Sequence, residues 1–398
     1  MREYDPNSPE LRSWVEVPPG HDFPVQNLPF GVFEAPGRGR RPGVAIGDFV
    51  FDLVESRVVE GDTLTPVMPR AAEIRRQVSW LLNADNPDRP PGTCLVPSAE
   101  VKMHLPCPVG DYVDFYSSLE HATNVGKMFR DPENPLLPNW RWLPVGYHGR
   151  AGTVAVSGTP LIRPHGQLSA DNRTAVFGPS RRLDIELEMA ALVGREGTRL
   201  STTAAREAVF GLVLMNDWSA RDIQRWEYQP LGPFLGKSFL TTISPWVVTK
   251  EALEPFRTPG PPQDPPPLRY LEEPEPRNWD IHLEVWLRPA GAADARCIAR
   301  TNFRYLYWSA AQQIAHLTSN GATVRAGDLC GSGTVSGPAQ GSFGSLLELT
   351  WNGQRPLTWP DGIERTFLED GDTVILRGWC EGSHRIGFGE CVGTVQPA

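Results

Sequence analysis

The stretch from Arg181 to Thr242 concentrates side chains suited to chemistry. In L-D-I-E-L-E-M, residues 183–189, Leu183, Ile185, Leu187 and Met189 alternate with Asp184, Glu186 and Glu188, so a strand puts the carboxylates on one face. The run continues into Ala190, Ala191, Leu192 and Val193, apolar on both sides, which predicts a covered strand. Neighbouring carboxylates there repel one another unless a cation neutralises them. Oxygen-seeking divalent ions such as Ca2+ or Mg2+ accept these ligands, and Glu186 and Glu188, two apart, can point at one ion.

A further acid follows. Val209 to Met215 reads as a buried strand that delivers Asn216 and Asp217 at its end, where sites tend to sit. The next helix is expected to begin near Ser219, with Asp222 three residues on completing a capping box. Arg221, Gln224 and Tyr228 then share one helical face, a cation, an amide and a phenol. The turn P-L-G-P-F-L-G-K presents Lys237 close by.

A second block, D-Y-V-D-F-Y-S-S-L-E-H-A-T-N-V-G, places Asp114, Tyr116 and His121 within eight residues. Imidazole titrates where a general base at neutral pH must, but composition alone leaves His148, in Y-H-G-R, an equal candidate. Glu348 lies among apolar residues in F-G-S-L-L-E-L, and a buried carboxylate demands a partner. The glycine-rich R-A-G-D-L-C-G-S-G-T-V-S-G-P lacks the order of a phosphate loop; its glycines serve tight turns or close backbone approach.

These groups need a scaffold. P-G-V-A-I-G-D-F-V-F-D-L predicts a hairpin turning at Gly47 and Asp48, and Ile74, Val78, Leu81 and Leu82 have helical spacing. L-P-C-P-V-G near 105–110 marks a boundary. Residues 254–277 are proline-rich and read as an extended surface connector. Beyond them, I-H-L-E-V-W-L-R-P alternates as a strand, and Leu306, Ala310, Ile314 and Leu317 space as a helix from Tyr305 to Leu317.

The chain has 398 residues and a formal net charge of -9, which argues against nucleic acid as a partner. No apolar run approaches the roughly 20 residues that cross a bilayer, and the N-terminus lacks a signal-peptide pattern, so a cytoplasmic protein without membrane contact is expected. Six cysteines without a C-x-x-C pair predict free thiols and no zinc site.

D-I-E-L-E-M-A, M-N-D-W-S-A-R-D-I-Q, P-L-G-P-F-L-G-K-S-F and S-S-x-x-H-A-T-N-V-G together resemble the fumarylacetoacetase family over almost the whole length. The resemblance implies a mainly β protein with some α: an N-terminal SH3-like barrel over 1–107 and a larger β-rich catalytic domain over 108–398, working as a homodimer. It implies hydrolysis of the carbon–carbon bond of 4-fumarylacetoacetate to fumarate and acetoacetate, the last step of tyrosine and phenylalanine breakdown. It selects His121 over His148 as the base, with Glu348 orienting it, and Arg221, Gln224 and Lys237 stabilising the oxyanion and enolate. It makes Asp114, Glu186, Glu188 and Asp217 ligands of Ca2+ or Mg2+, with Lys237 and Thr241 helping to hold a second, structural cation in the loop after the helix. Tyr116, Arg130, Tyr147, Arg221, Gln224, Tyr228 and Thr334 match substrate contacts. Leu119 departs from the pattern, standing where an arginine is expected. Acylpyruvate hydrolysis, decarboxylation of a 2-oxo acid and an inactive binding protein on the same fold are the competing readings.

Overall fold

A computed structural model describes residues 4–398. The first sheet runs in the order β4-β3-β2-β1-β5, from β1 (Phe30–Ala35), β2 (Arg38–Ile46), β3 (Phe49–Asp52), β4 (Leu95–Pro97) and β5 (Lys102–His104). Its outer strands, β4 and β5, are not laddered to each other. The expected hairpin is there: Ile46 pairs with Phe49 across Gly47 and Asp48, and Gly47 takes a φ of 51°, which a side chain would disfavour. Helix α1 (Ala71–Leu81) buries Ile74 and Val78, as does Leu82 just beyond it, while Leu81 is half-buried. The 107/108 boundary falls in the link between β5 and the next strand.

The elements that position the site follow in order: β6 (Tyr112–Phe115), α2 (Leu119–Phe129), β7 (Gly146–His148), β8 (Val154–Val156), β9 (Leu187–Val193), β10 (Val209–Asp217), α3 (Arg221–Glu227), α4 (Leu235–Ser238), β11 (Thr241–Ile243), α5 (Ala310–Thr318), β12 (Leu329–Gly331) and α6 (Leu346–Leu349). The strands form one large sheet, β7-β6-β12-β9-β10-β11-β8, with Val248–Thr249 also pairing β10.

Strands β9 and β10 are buried at every position, and the period of two explains how. Ala190, Leu192, Val213 and Met215 join the apolar core that contains the N-terminal sheet and α1. Met189, Ala191, Leu212 and Leu214 face the core of the C-terminal part. The central strands are therefore covered on both sides, so the two-sided apolar sequence is a direct record of their place. That second core is closed by a five-stranded sheet in which Arg296–Asn302, His282–Arg288, Thr373–Cys380, Ile386–Gln396 and Leu161–Ile162 are successive neighbours.

Four expectations need correction. The alternating run is not one strand: Leu183–Asp184 pairs with Ser219–Ala220, and only Leu187 onward joins β9, so Ile185 and Glu186 fall between the two. Ser219 does not cap a helix; it lies in that short strand, its Oγ donates to the Asp217 carbonyl, and α3 starts at Arg221 without a side-chain cap. Asp222 instead accepts from Ser180 Oγ and the Arg181 amide. Helix α5 starts later than the apolar spacing suggests, because Ser309 and Gln312 form a capping box and Leu306 bridges to Ser118. The proline-rich segment is anchored rather than a free connector: Leu271 is fully buried and Glu273 pairs with Arg206 at 2.5 Å.

All six cysteines are free. Among the described residues, no helix is long and apolar enough to cross a membrane.

Candidate active site

Asp114 is the third of the four residues of β6, Glu188 lies on β9, Glu186 just precedes it and Asp217 ends β10. Sheet order alone therefore gathers four acids from distant sequence, each offering an oxygen within 4.8 Å of the others. All four are buried, Glu188 and Asp217 completely. The approach requires glycine at 331, where a Cβ would lie 2.5 Å from the Met215 methyl and 2.8 Å from Asp114 Oδ1. At Gly333, in a left-handed conformation, the amide donates to Glu188 Oε2 at 2.8 Å.

Two cations partly offset this charge. Lys237 Nζ, carried by α4, lies 2.5 Å from Glu186 Oε2 and 2.6 Å from Asp217 Oδ2. Arg221 at the start of α3 places Nη1 2.7 Å from Glu186 Oε1 and Nε 2.8 Å from Asp184 Oδ2. Burial would lower both cations' pKa values, but the carboxylates beside them outweigh it and hold both above their usual ranges. Glu186 is held low in return, the two cations overcoming the cost of burial. Asp114 and Glu188 are pushed well above the carboxylate range, by burial first and then by neighbouring carboxylates.

Asp114 Oδ1 and Glu188 Oε1 are buried with no hydrogen-bond donor among the described residues. Once ionised, as metal ligands must be, the four carboxylates face only two cations, one of them shared with Asp184, and at least two charges are left unbalanced. An all-oxygen donor set with orphaned oxygens and that deficit fits a hard divalent ion. Lys237 and Thr241 meet the cluster through their side chains, Thr241 Oγ1 donating to Asp217 Oδ1 at 3.2 Å. A protonated amine cannot ligate a cation, so the Lys237 side chain acts as a counter-ion here.

The second assembly lies at two helix starts. His121 is the third residue of α2, and its amide donates to the Ser118 cap; Glu348 is the third residue of α6, and its amide donates to the Ser345 cap. The caps thus bring the side chains together, His121 Nδ1 lying 2.7 Å from Glu348 Oε2. Ser336 Oγ and Ser345 Oγ donate to the same oxygen at 2.9 and 2.8 Å, and Asn124 Nδ2 donates to Oε1 at 3.0 Å. Burial would raise the Glu348 carboxyl, but the His121 charge and these donors hold it below the usual range. An ionised acceptor fixes the proton on Nδ1 and leaves Nε2 for a reactant.

The remaining predicted residues divide. The Tyr116 ring meets His121 edge-on at 5.2 Å. Tyr147 donates to Asp217 Oδ2 at 2.9 Å, so it reaches the acidic cluster directly. Gln224 Oε1 sits 3.4 Å from Arg221 Nη1. Thr334 Oγ1 and Arg221 Nη2 are buried without a hydrogen-bond partner among the described residues. Arg130 is exposed and donates to the Pro135 carbonyl, and Tyr228 is exposed and accepts from Gln229, so neither is tied to the cluster. His148 is exposed on β7. Leu119 starts α2 and packs against the large core.

Residue-by-residue reading missed several members. Tyr112, on β6 two residues before Asp114, buries a phenol beside the acidic cluster, within reach of Thr241; a period-two reading of D-Y-V-D could have found it. Asp184 accepts from the amides of Leu346 and Leu347 at 2.8 and 3.1 Å while holding Arg221. It therefore ties the helix that carries Glu348 to the cation beside Glu186. Asn124 carries no local signal, since Glu348 is 224 residues away, whereas Ser345 stands three residues before Glu348 in S-L-L-E, a capping pattern that could have been read, and Ser336 twelve before it.

A family model described as fumarylacetoacetate (FAA) hydrolase C-terminal matches residues 112–396, and one described as fumarylacetoacetase N-terminal matches residues 26–106. The chain is 51% identical to a fumarylacetoacetase of Caenorhabditis elegans over 98% of its own length and 100% of the relative's. It is 48% identical to the Homo sapiens fumarylacetoacetase over 97% and 99% of the two chains. Among solved structures, a fumarylacetoacetate hydrolase from Exiguobacterium antarcticum superposes with a TM-score of 0.56 at 18% identity, covering 93% of this chain and 100% of that one. A 5-carboxymethyl-2-hydroxymuconate delta-isomerase from Mycobacterium smegmatis superposes at 0.53 and 17% identity, over 93% and 100%. At these identities the structural likenesses show the fold alone.

Proposed function

Because the chain belongs to the fumarylacetoacetase family, we propose that this site hydrolyses 4-fumarylacetoacetate to fumarate and acetoacetate. The observation that carries the reading is a His121–Glu348 pair already in hydrogen-bonding geometry beside a buried four-carboxylate cluster. The obstacle to the reaction is its leaving group, a carbanion. The site must therefore make a nucleophile from water and hold negative charge on the substrate twice, first as an oxyanion and then as an enolate.

His121 Nε2 takes a proton from water while Glu348 offsets the charge that forms on the ring. The hydroxide adds to the carbonyl carbon beside the alkene, and the oxyanion faces Arg221, Gln224 and Lys237. The bond between that carbon and the methylene then breaks, its electron pair passing to the methylene carbon as the enolate of acetoacetate. The proton held by His121 returns to this carbon. The other half leaves as fumarate, and its new carboxyl proton goes to solvent.

Asp114, Glu186, Glu188 and Asp217 would hold Ca2+ or Mg2+, which when bound supplies Lewis-acid polarisation of the diketone oxygens. Tyr116, Arg130, Tyr147, Tyr228 and Thr334 complete the substrate contacts in this reading; the unpartnered Thr334 hydroxyl and Arg221 Nη2 support it. The segment that carries Lys237 and Thr241 would help hold a second, structural cation in this reading. A homodimer is part of the proposal, supported by the exposed Phe177, Leu231 and Phe234.

The test is product analysis in 18O-labelled water. Fumarate carrying one solvent oxygen in its new carboxylate, with equimolar acetoacetate, is expected. Turnover of acylpyruvates with fumarylacetoacetate left intact would overturn the assignment.

A further inference from the structure

Glu348 is held by four side-chain donors that are unevenly placed. His121 Nδ1, Ser336 Oγ and Ser345 Oγ all meet Oε2, at 2.7, 2.9 and 2.8 Å. Oε1 receives a side-chain hydrogen bond from Asn124 Nδ2 alone among the described residues, at 3.0 Å. A carboxylate fixed at one oxygen can still swing the other; fixing both sets its plane. His121 and Asn124 stand three apart on α2, so one helical face grips both oxygens.

We propose that Asn124 is a positioning residue for the acid–base pair: it locks the plane of the Glu348 carboxylate, and through it the direction in which His121 Nε2 points. The inference rests on the reading of His121 as the base, and it concerns a contact that reading does not need. Asn124 offers an amide, so it steers Glu348 without adding charge. Among charged neighbours, Glu120 on α2 interacts with Glu348 and Glu186 before β9 with His121, while Arg130 beyond α2 acts on the Tyr116 phenol, whose ring meets His121. An aspartate at 124 would add a negative charge next to Glu348 in the same shape, while removing the donor.

The experiment compares wild type, Asn124→Ala and Asn124→Asp, each loaded with Mg2+, in steady-state cleavage of fumarylacetoacetate from pH 5 to 9, with activity normalised to folded protein. Asn124→Ala is expected to lower kcat on the order of 10–100-fold, the effect of one hydrogen bond to a charged group, with KM within about twofold. Asn124→Asp is expected to move the acid limb of kcat/KM to higher pH, because added negative charge holds the proton on the pair. Metal affinity stays at the wild-type value in both. Wild-type kcat per folded molecule in Asn124→Ala, together with an unmoved acid limb in Asn124→Asp, would overturn the proposal. An inert wild type would overturn the functional reading itself, and the inference with it.

Discussion

The acidic cluster and the His121–Glu348 pair sit in one molecule but solve opposite problems. The cluster crowds four carboxylates together and leaves Asp114 Oδ1 and Glu188 Oε1 without donors; it is electrostatically unfinished. The pair has a donor for each carboxylate oxygen and a capped helix beneath each member; it is complete. The first region needs something from outside the chain, and the second arrives preorganised. Binding of an ion and generation of the base are accordingly separable.

Mutation tests that separation most sharply. His121→Ala is expected to lower kcat by roughly 10²–10⁴-fold, the span for losing a general base, while calorimetric metal affinity holds. A parallel loss of metal would merge the two regions into one. Asp217→Ala should weaken metal binding by at least about tenfold, on the order of 1.4 kcal/mol, and lower activity with it, since Lys237, Tyr147 and Thr241 lose their shared acceptor. Unchanged metal content in that variant would remove Asp217 from the ligand set. Gly331→Ala should cost about 1–3 kcal/mol through overpacking and disturb the cluster ahead of the pair, read as lower metal affinity at a small drop in Tm.

Proton linkage gives the two regions opposite signs. Asp114 and Glu188 have raised folded-state pKa values, by burial first and then by neighbouring carboxylates, chiefly Asp217 beside Asp114 and Asp114 beside Glu188. Their contribution to metal-free stability is therefore present below the unfolded values and is lost as pH rises through the raised ones. Glu348 is depressed, so its contribution is present above the unfolded value of about 4.5 and is lost as pH falls through the folded one. Adding Mg2+ or Ca2+ to chelated protein should thus raise Tm more at pH 8 than at pH 5, the ligands having to shed protons to bind. Glu348→Gln should cost more stability at pH 7 than at pH 4, a smaller effect that thermal melts at both values would show. A metal-induced shift in Tm that is flat with pH would contradict the account of the cluster.

Local pattern reached the parts of the fold whose cause is local. The Gly47–Asp48 turn, α1 and the buried run of β10 follow from turn chemistry, helical spacing and apolar length. The interruption at Ile185–Glu186 was illegible because it depends on Ser219–Ala220 pairing with Leu183–Asp184. The start of α5 was misplaced because apolar spacing says nothing about the Ser309 cap. At the site, Glu186 and Glu188 were visible as an alternation. His121 was chosen over His148 only through the family resemblance, since its partner Glu348 stands 227 residues away. Asn124 gains its meaning from Glu348, 224 residues away, which helix packing brings in and no window of sequence contains, whereas Tyr112 stands two residues before Asp114 and was within reach of an alternation reading.

The most direct test of this division is the loss of diketone absorbance on mixing fumarylacetoacetate with chelator-treated protein, before and after Mg2+ or Ca2+ is restored. The account predicts negligible cleavage before and recovery after, the base pair being ready and the cluster awaiting its ion. Full turnover by folded protein shown to be free of metal would contradict it.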